Sequence, residues 1–349
     1  MEAARDFVTA GDPKGALVLM DAAPEPQKRQ PGFIAQRNWA LWAAGDMVQM
    51  RQGVDRGLAS ERLPELLVQD GLLRLRSGDA VRARVALEEA LKIDPSALIA
   101  LRILGQTYAS EKRLSTGMEK VREYASHQEK SAPVQHFLGM MLLGTGDRTG
   151  ARAAFQAAKA ADKDFVAADL GLAQVDAAEG KLDDAKTRLT SVIAADSSNM
   201  TAQKWLGNVE AVRGDHNAAI THFRKVLELD PSDSQASNNL AYLLIEYRNE
   251  FDEALKYAQK AVELVPDRPA YLDTLGWAFY QKRQYPTAIR YLERASASNQ
   301  SAAWKYHLAM AYAKAGDLTR GRATLAAAMK QNPRAPEAKA AQEVVGTFK

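Results

Sequence analysis

The chain has 349 residues, which is long for one compact core and ordinarily means two or three domains. It has no cysteine, which excludes disulfides, thiolate metal sites and a cysteine nucleophile; five histidines spread from His127 to His307 leave little for a histidine metal centre. Lys and Arg number 46 against 43 Asp and Glu, a mixed-sign balance of +3 without the one-sided field of a nucleic-acid binder.

The predicted elements start at a charged N-terminus. Glu2, Arg5, Asp6, Asp12 and Lys14 leave no apolar core for a signal peptide, and no apolar run approaches the roughly 18 residues that span a bilayer. Two compartments fit this: the cytoplasm, or the periplasm and cell envelope if an export segment lies upstream of this sequence. Gly11-Asp12 followed by Ala16 and Met20 reads as the second half of a helical repeat. Pro24, Pro26 and Pro31 mark a break or loop. Residues 30–63, with Trp39, Trp42 and Gly45-Asp46, read as a degenerate repeat. The chain opens in mid-helix with no cap, whereas a solenoid needs capped ends, so residues 1–63 are expected to be the remainder of a longer natural protein.

From Pro64 a period takes over. An apolar residue followed by Gly or Ala recurs at Leu104-Gly105, Leu138-Gly139, Leu172-Ala173, Leu206-Gly207, Leu240-Ala241, Leu275-Gly276 and Leu308-Ala309, with steps of 34, 34, 34, 34, 35 and 33. Gly71 stands one step earlier. Eight units follow: 64–97, 98–131, 132–165, 166–199, 200–233, 234–268, 269–301 and 302–335. A second small residue keeps the same phase at Ala83, Gly117, Ala151, Ala185, Ala219, Ala254, Ala288 and Gly321. A turn glycine precedes most of these, at Gly78, Gly146, Gly180, Gly214 and Gly316. An apolar residue follows four later, from Leu87 and Val121 through Phe155, Leu189, Phe223, Ala258 and Leu292 to Leu325. Proline often closes the unit, at Pro95, Pro231, Pro266 and Pro333.

The physics of a unit follows from this pattern. Two amphipathic helices of about a dozen residues are joined by a short turn. Small residues at fixed positions let the pair approach closely. Proline and its neighbours, as in Leu229-Asp-Pro-Ser-Asp233, stop one helix and restart the next. One hairpin cannot bury both apolar faces, so hairpins must stack. Residues 336–349 read as a short polar helix and tail covering the last unit.

This register resembles the tetratricopeptide repeat family over residues 64–335. The resemblance implies an all-α fold, a right-handed superhelical solenoid of antiparallel helix pairs. Departures from the pattern are Lys112 at a turn glycine, Gly117 at a packing alanine, and one extra residue in the 234–268 unit around Arg248 to Phe251.

Motifs for chemistry are weak. Gly144-Thr-Gly-Asp-Arg-Thr-Gly150 has the wrong spacing for a dinucleotide fingerprint and falls between helices. Gly180-Lys181 lacks the rest of a phosphate loop. His216 and His222 are six apart, on different helix faces. Asp183-Asp184 sits where a helix start favours acids. No catalytic residue, metal ligand or cofactor is expected.

The resemblance also implies a groove lined by the first helix of each unit. In the N-terminal half the mapped positions are mixed: Val68, Leu72, Leu75, Arg102, Gln106, His136, Phe137 and Met140. From Met200 onward they become aromatic and amide-rich: Lys204, Trp205, Asn208, Asn238, Asn239, Tyr242, Asp273, Trp277, Tyr280, Tyr306 and His307. Rings supply area and amides bond an extended backbone, which suits peptide capture. Lys204, Asn208 and Asn239 match part of the family's clamp for a terminal carboxylate. Its two further basic positions hold Ala270 and Thr274, with Asp273 repelling and only Arg268 near.

The expected function is a non-catalytic scaffold binding a protein or peptide, with Trp277, Tyr280, Tyr242 and Tyr306 as anchors. Residues 238–244, 272–277 and 306–312 resemble the C-terminal repeats of bacterial envelope lipoproteins of exopolysaccharide and exosortase systems, which implies a role in organising such an assembly. Alternatives are a module for polysaccharide or another extended polymer, and a sensor domain of a larger protein. Nucleic acid is not an expected partner, because Lys and Arg alternate with Asp and Glu in almost every unit.

Overall fold

A computed structural model describes residues 11–298 and 301–347. The expected uncapped start at residues 1–10 lies outside these. Every regular element among the described residues is helical. The chain divides into two compact units, one ending at Glu179 and one beginning at Gly180.

The first unit contains α1 (Pro13–Asp21), α2 (Glu25–Lys28), α3 (Pro31–Ala44), α4 (Met47–Ser60), α5 (Pro64–Arg76), α6 (Ala80–Ile93), α7 (Leu98–Ser110), α8 (Leu114–Ser126), α9 (Ala132–Gly144), α10 (Arg148–Ala161) and α11 (Val166–Ala178). The proline-rich break from Pro24 to Pro31 thus holds a one-turn helix, because Pro24 at the N-cap and Pro26 in the first turn both tolerate a helix start. The second unit contains α12 (Leu182–Ala195), α13 (Met200–Arg213), α14 (His216–Leu229), α15 (Ser234–Leu243), α16 (Phe251–Leu264), α17 (Pro269–Gln281), α18 (Tyr285–Ser296), α19 (Ala302–Lys314), α20 (Leu318–Gln331) and α21 (Ala338–Gly346). α1 packs on α3, and along the hairpins of each unit successive helices pack on one another, as α5 on α6 and α17 on α18. The first helices of successive hairpins also meet, α5 on α7 and α7 on α9, and likewise α15 on α17 and α17 on α19.

Local chemistry sets the boundaries. Asp46, Asp79, Asp147, Asp215 and Asp317 each cap the second helix of a hairpin, accepting from the backbone N–H three residues on at 2.9–3.0 Å. The residue before that cap lies in the left-handed region, with φ of 80 to 90° at Gly45, Gly78, Gly146, Gly214 and Gly316. Lys112, Asn249 and Arg283 adopt the same turn without glycine, at φ 55 to 60°.

The small residues of the period mark the helix contacts. Ala83, Ala151, Ala185, Ala219, Ala254 and Ala288 are fully buried. Gly139 and Gly171 flank the ring of Phe155, and a Cβ on either would stand 2.5–2.6 Å from ring carbons. Polar links tie one hairpin to the next: Arg84 to Glu111, Arg152 to Asp176 and Glu179, and Lys186 to the buried Glu210.

The extra residue of the 234–268 unit falls earlier than the Arg248–Phe251 turn. It widens the end of α15 into a π-helical turn, Leu244–Arg248, followed by Asn249 in the left-handed region. Leu244 and Ile245 remain buried, so one wide turn absorbs the insertion without breaking the apolar face. At the C-terminal end, α21 packs on both α19 and α20 through Ala338, Ala341 and Val345.

Candidate functional site

Within the second unit the first helices α13, α15, α17 and α19, joined by Glu337 at the start of α21, line a pocket of about 360 Å³. Six residues singled out from sequence line it: Asn208, Asn238, Asn239, Tyr242, Asp273 and His307. Trp304, Thr274, Ala270, His216, Tyr247 and Glu337 complete its polar and aromatic wall. Trp304, Tyr247 and Glu337 are lining residues that sequence spacing missed. Trp304 sits at a unit position outside the mapped set, and Glu337 belongs to the segment after the last repeat.

An amide ladder crosses the pocket. Asn239 Nδ2 donates to Asn208 Oδ1 at 3.0 Å, and Asn238 Nδ2 lies 3.4 Å from Asn239 Oδ1. The period places Asn208 and Asn239 on consecutive first helices, one hairpin apart, with Asn238 beside Asn239 on the same helix. Asn238 Oδ1 is hidden from solvent and has no hydrogen-bond partner among the described residues; the same holds for Glu337 Oε2 and His216 Nδ1. The His216 ring stacks on Tyr247 at 3.4 Å, and the π-helical turn carries Tyr247 to this position.

Asp273 and His307 form a buried pair. His307 Nδ1 donates to both carboxylate oxygens, at 2.9 and 3.1 Å. Burial alone pulls the imidazole down, but Asp273, helped by Glu337 and Glu246, outweighs it and holds His307 above its ordinary value. The Trp277 ring stacks on His307 at 4.2 Å and on Tyr280 at 4.5 Å, and its Nε1 donates to Glu246 Oε1 at 2.6 Å. Tyr242 is 42% exposed at the pocket mouth. Partial burial, then the carboxylates of Glu246, Glu337 and Asp273, push its hydroxyl up to about 12.

Other residues in the predicted groove lie elsewhere. Tyr306 is fully buried beneath the C-terminal segment and donates to the Asn332 carbonyl, so it is a core residue and not a groove anchor. Trp277 is only 8% exposed, which removes it as a free anchor. Tyr280 is half-buried against it, raised to about 12 by burial. Trp205 and Tyr280 do not line the pocket. Lys204 is held by Asp233 at 2.6 Å, and Arg268 lies over the Tyr271 ring. With Ala270 and Thr274 in the wall, no Lys or Arg among the described residues lines the pocket to clamp a carboxylate.

The weaker sequence motifs have structural places. Gly146 forms a helix turn and Asp147 caps α10. Asp183 and Asp184 occupy the first turn of α12. His222 Nδ1 lies 2.8 Å from Gln203 Oε1, and burial lowers its pKa. Among the described residues no group of three or more His, Asp or Glu is arranged to hold a metal ion. No helix among them is long and apolar enough to cross a membrane.

Comparison with known proteins agrees with this architecture. Two family descriptions, both tetratricopeptide repeat, match residues 69–133 and 170–234, and residues 213–277 and 279–344. The TPR repeat-containing protein PA4667 of Pseudomonas aeruginosa is 38% identical over 63 residues, which are 18% of this chain and 11% of that protein. The match therefore spans about a tenth of the relative's length. Among solved structures, the hetero-tetramer Cut9-Hcn1 of the APC/C aligns over 99% of this chain and 69% of its own, with TM-score 0.61 and 17% identity. The Pseudomonas aeruginosa pilF structure aligns over 65% of this chain and 99% of its own, with TM-score 0.53 and 18% identity. At such identities the likeness is one of fold. The in-phase small residues, the stacked hairpins and the family matches over most of the repeat region show that the chain belongs to the tetratricopeptide repeat family, whose hairpin stacks serve protein–protein interaction.

Proposed function

We propose that the chain is a non-catalytic interaction scaffold that holds a segment of a partner protein in the groove of its second unit. The observation that supports this most is the amide ladder Asn208–Asn239–Asn238 lining a pocket together with Tyr242 and Trp304. Amides one hairpin apart can bond an extended main chain, and the rings add contact area at low entropic cost. The sequence likeness of residues 238–244, 272–277 and 306–312 to envelope lipoproteins supports a bacterial envelope or exopolysaccharide assembly as its setting.

A photo-crosslinking phenylalanine at position 242, read by mass spectrometry in source cells, tests this. A control at the exposed Val81 of the first unit reports background. Peptides from one protein captured at 242, absent at 81 and lost with Asn239→Ala support the groove. Equal capture at both sites refutes it, and capture of carbohydrate in place of peptide would move the polymer-binding alternative ahead.

A further inference from the structure

The geometry points to a specific occupant: the pocket between α13, α15, α17 and α19 takes a cationic side chain of the bound segment, arginine in preference to lysine. This inference rests on the proposed groove reading and adds the chemistry of what enters it.

The pocket is rich in acceptors. Its two solvent-hidden oxygens without partners, Asn238 Oδ1 and Glu337 Oε2, both require a donor. A buried acceptor left unpaired costs free energy that an entering N–H group recovers. Asn208 Oδ1 has one lone pair engaged by Asn239. The pocket's charge has one sign as well. His307 and Asp273 neutralise each other when the imidazole is protonated. Glu337 in the wall and Glu246 beside it have no ion-pair partner among the described residues, so about two negative charges remain. Among the described residues no Lys or Arg lines the wall, and Lys204 is turned onto Asp233.

Shape and surface select among cations. Tyr242 and Trp304 present aromatic surface at the wall, and a flat guanidinium stacks on such faces while donating from its edge. Its five donors match acceptors spread over two helices and the α21 start, whereas an ammonium is a point charge. The same arrangement excludes acidic side chains, which would meet Glu337 and Asp273 directly.

The test uses the whole chain labelled with 5-fluorotryptophan. The Trp304 fluorine resonance, assigned by Trp304→Phe, reads weak binding directly. The probes are four blocked Gly-Ser peptides carrying one central arginine, lysine, citrulline or glutamate. The expected result is saturable movement of the Trp304 signal, with arginine about tenfold tighter than neutral, near-isosteric citrulline, lysine between them and glutamate weakest. Glu337→Gln, which removes a carboxylate whose Oε2 has no hydrogen-bond partner among the described residues, should reduce the arginine-to-citrulline ratio to about threefold or less, with helicity unchanged. Equal binding of arginine and citrulline, lost with Tyr242→Ala, would leave the groove standing and overturn the cation assignment. No movement with any of the four peptides would overturn both.

Discussion

Phe155 is the residue whose removal is expected to do the most local damage in the first unit. Its ring is fully buried between Gly139 of α9 and Gly171 of α11, with the His136 ring 5.5 Å away. Phe155→Ala deletes the ring from between two glycines that carry no side chain to fill its place, inside a cluster with Met118, Leu142, Leu172 and Val175. The expected loss is roughly 3–5 kcal/mol, as for other buried aromatic truncations. Gly139→Ala attacks the same contact from the other side. Its new methyl would stand 2.6 Å from the ring carbons, about 1 Å inside an ordinary carbon–carbon contact, and overpacking should cost about 1–3 kcal/mol. In the double variant that methyl enters the void. The two losses should then fall short of their sum by about 1–3 kcal/mol. Urea denaturation followed by circular dichroism, with hydrogen exchange across residues 139–172 to locate the loss, measures all four corners. Additive losses within about 0.5 kcal/mol would refute the packing described here.

Two further outcomes are expected in the second unit. Arg283 holds φ at 60° in a turn where most hairpins place glycine; Arg283→Gly removes the strain at some cost in chain entropy and should raise stability by about 0.5–1 kcal/mol, which the denaturation midpoint reads. His307 faces Asp273, Glu337, Glu246 and the Trp277 ring, and its pKa lies above the ordinary 6.5. Its contribution to stability is therefore fully present below about pH 6.5 and is lost as pH rises through the raised value. NMR titration of the imidazole should give a midpoint above 6.5, and His307→Gln should lose more stability relative to wild type at pH 6 than at pH 8.5. A midpoint below 6.5 contradicts the assignment. The partly buried His222 and His136 act in the opposite sense, their contributions being lost as pH falls below 6.5, so only the difference between variant and wild type isolates His307.

The fold was legible because the hairpin imposes equalities on the sequence. A closely packed helix pair needs a small residue at the same point of every unit, and Ala151, Ala185, Ala219, Ala254 and Ala288 satisfy it in phase. The turn needs a left-handed residue, and glycine marks it except where Lys112, Asn249 and Arg283 bear the strain instead. Where a departure was visible, its form was not. One extra residue between Leu240 and Ala254 could have lengthened the loop, and only the burial of both Leu244 and Ile245 makes a wide helical turn the lower-energy answer.

The site was legible only in part, and the reason is physical. A repeat pattern says which positions face the first-helix side of an average unit, but the last repeat is not average. Tyr306 occupies a groove position by register, yet α21 and the residues before it cover that face and turn the ring into core. Trp277 faces the groove by register too, but stacking on His307 and Tyr280 and its bond to Glu246 fix it in the core behind the pocket lining. The same covering segment contributes Glu337, a residue outside every repeat, to the pocket. The acceptor-rich character of the pocket therefore arises at the junction of a periodic array with its aperiodic end. There the chain brings a carboxylate against amides and rings that periodicity alone had placed. Truncating the chain before Glu337 would accordingly do more than remove α21: it would uncover Tyr306 and take away Glu337, one of the two carboxylates without an ion-pair partner among the described residues on which the cation assignment depends.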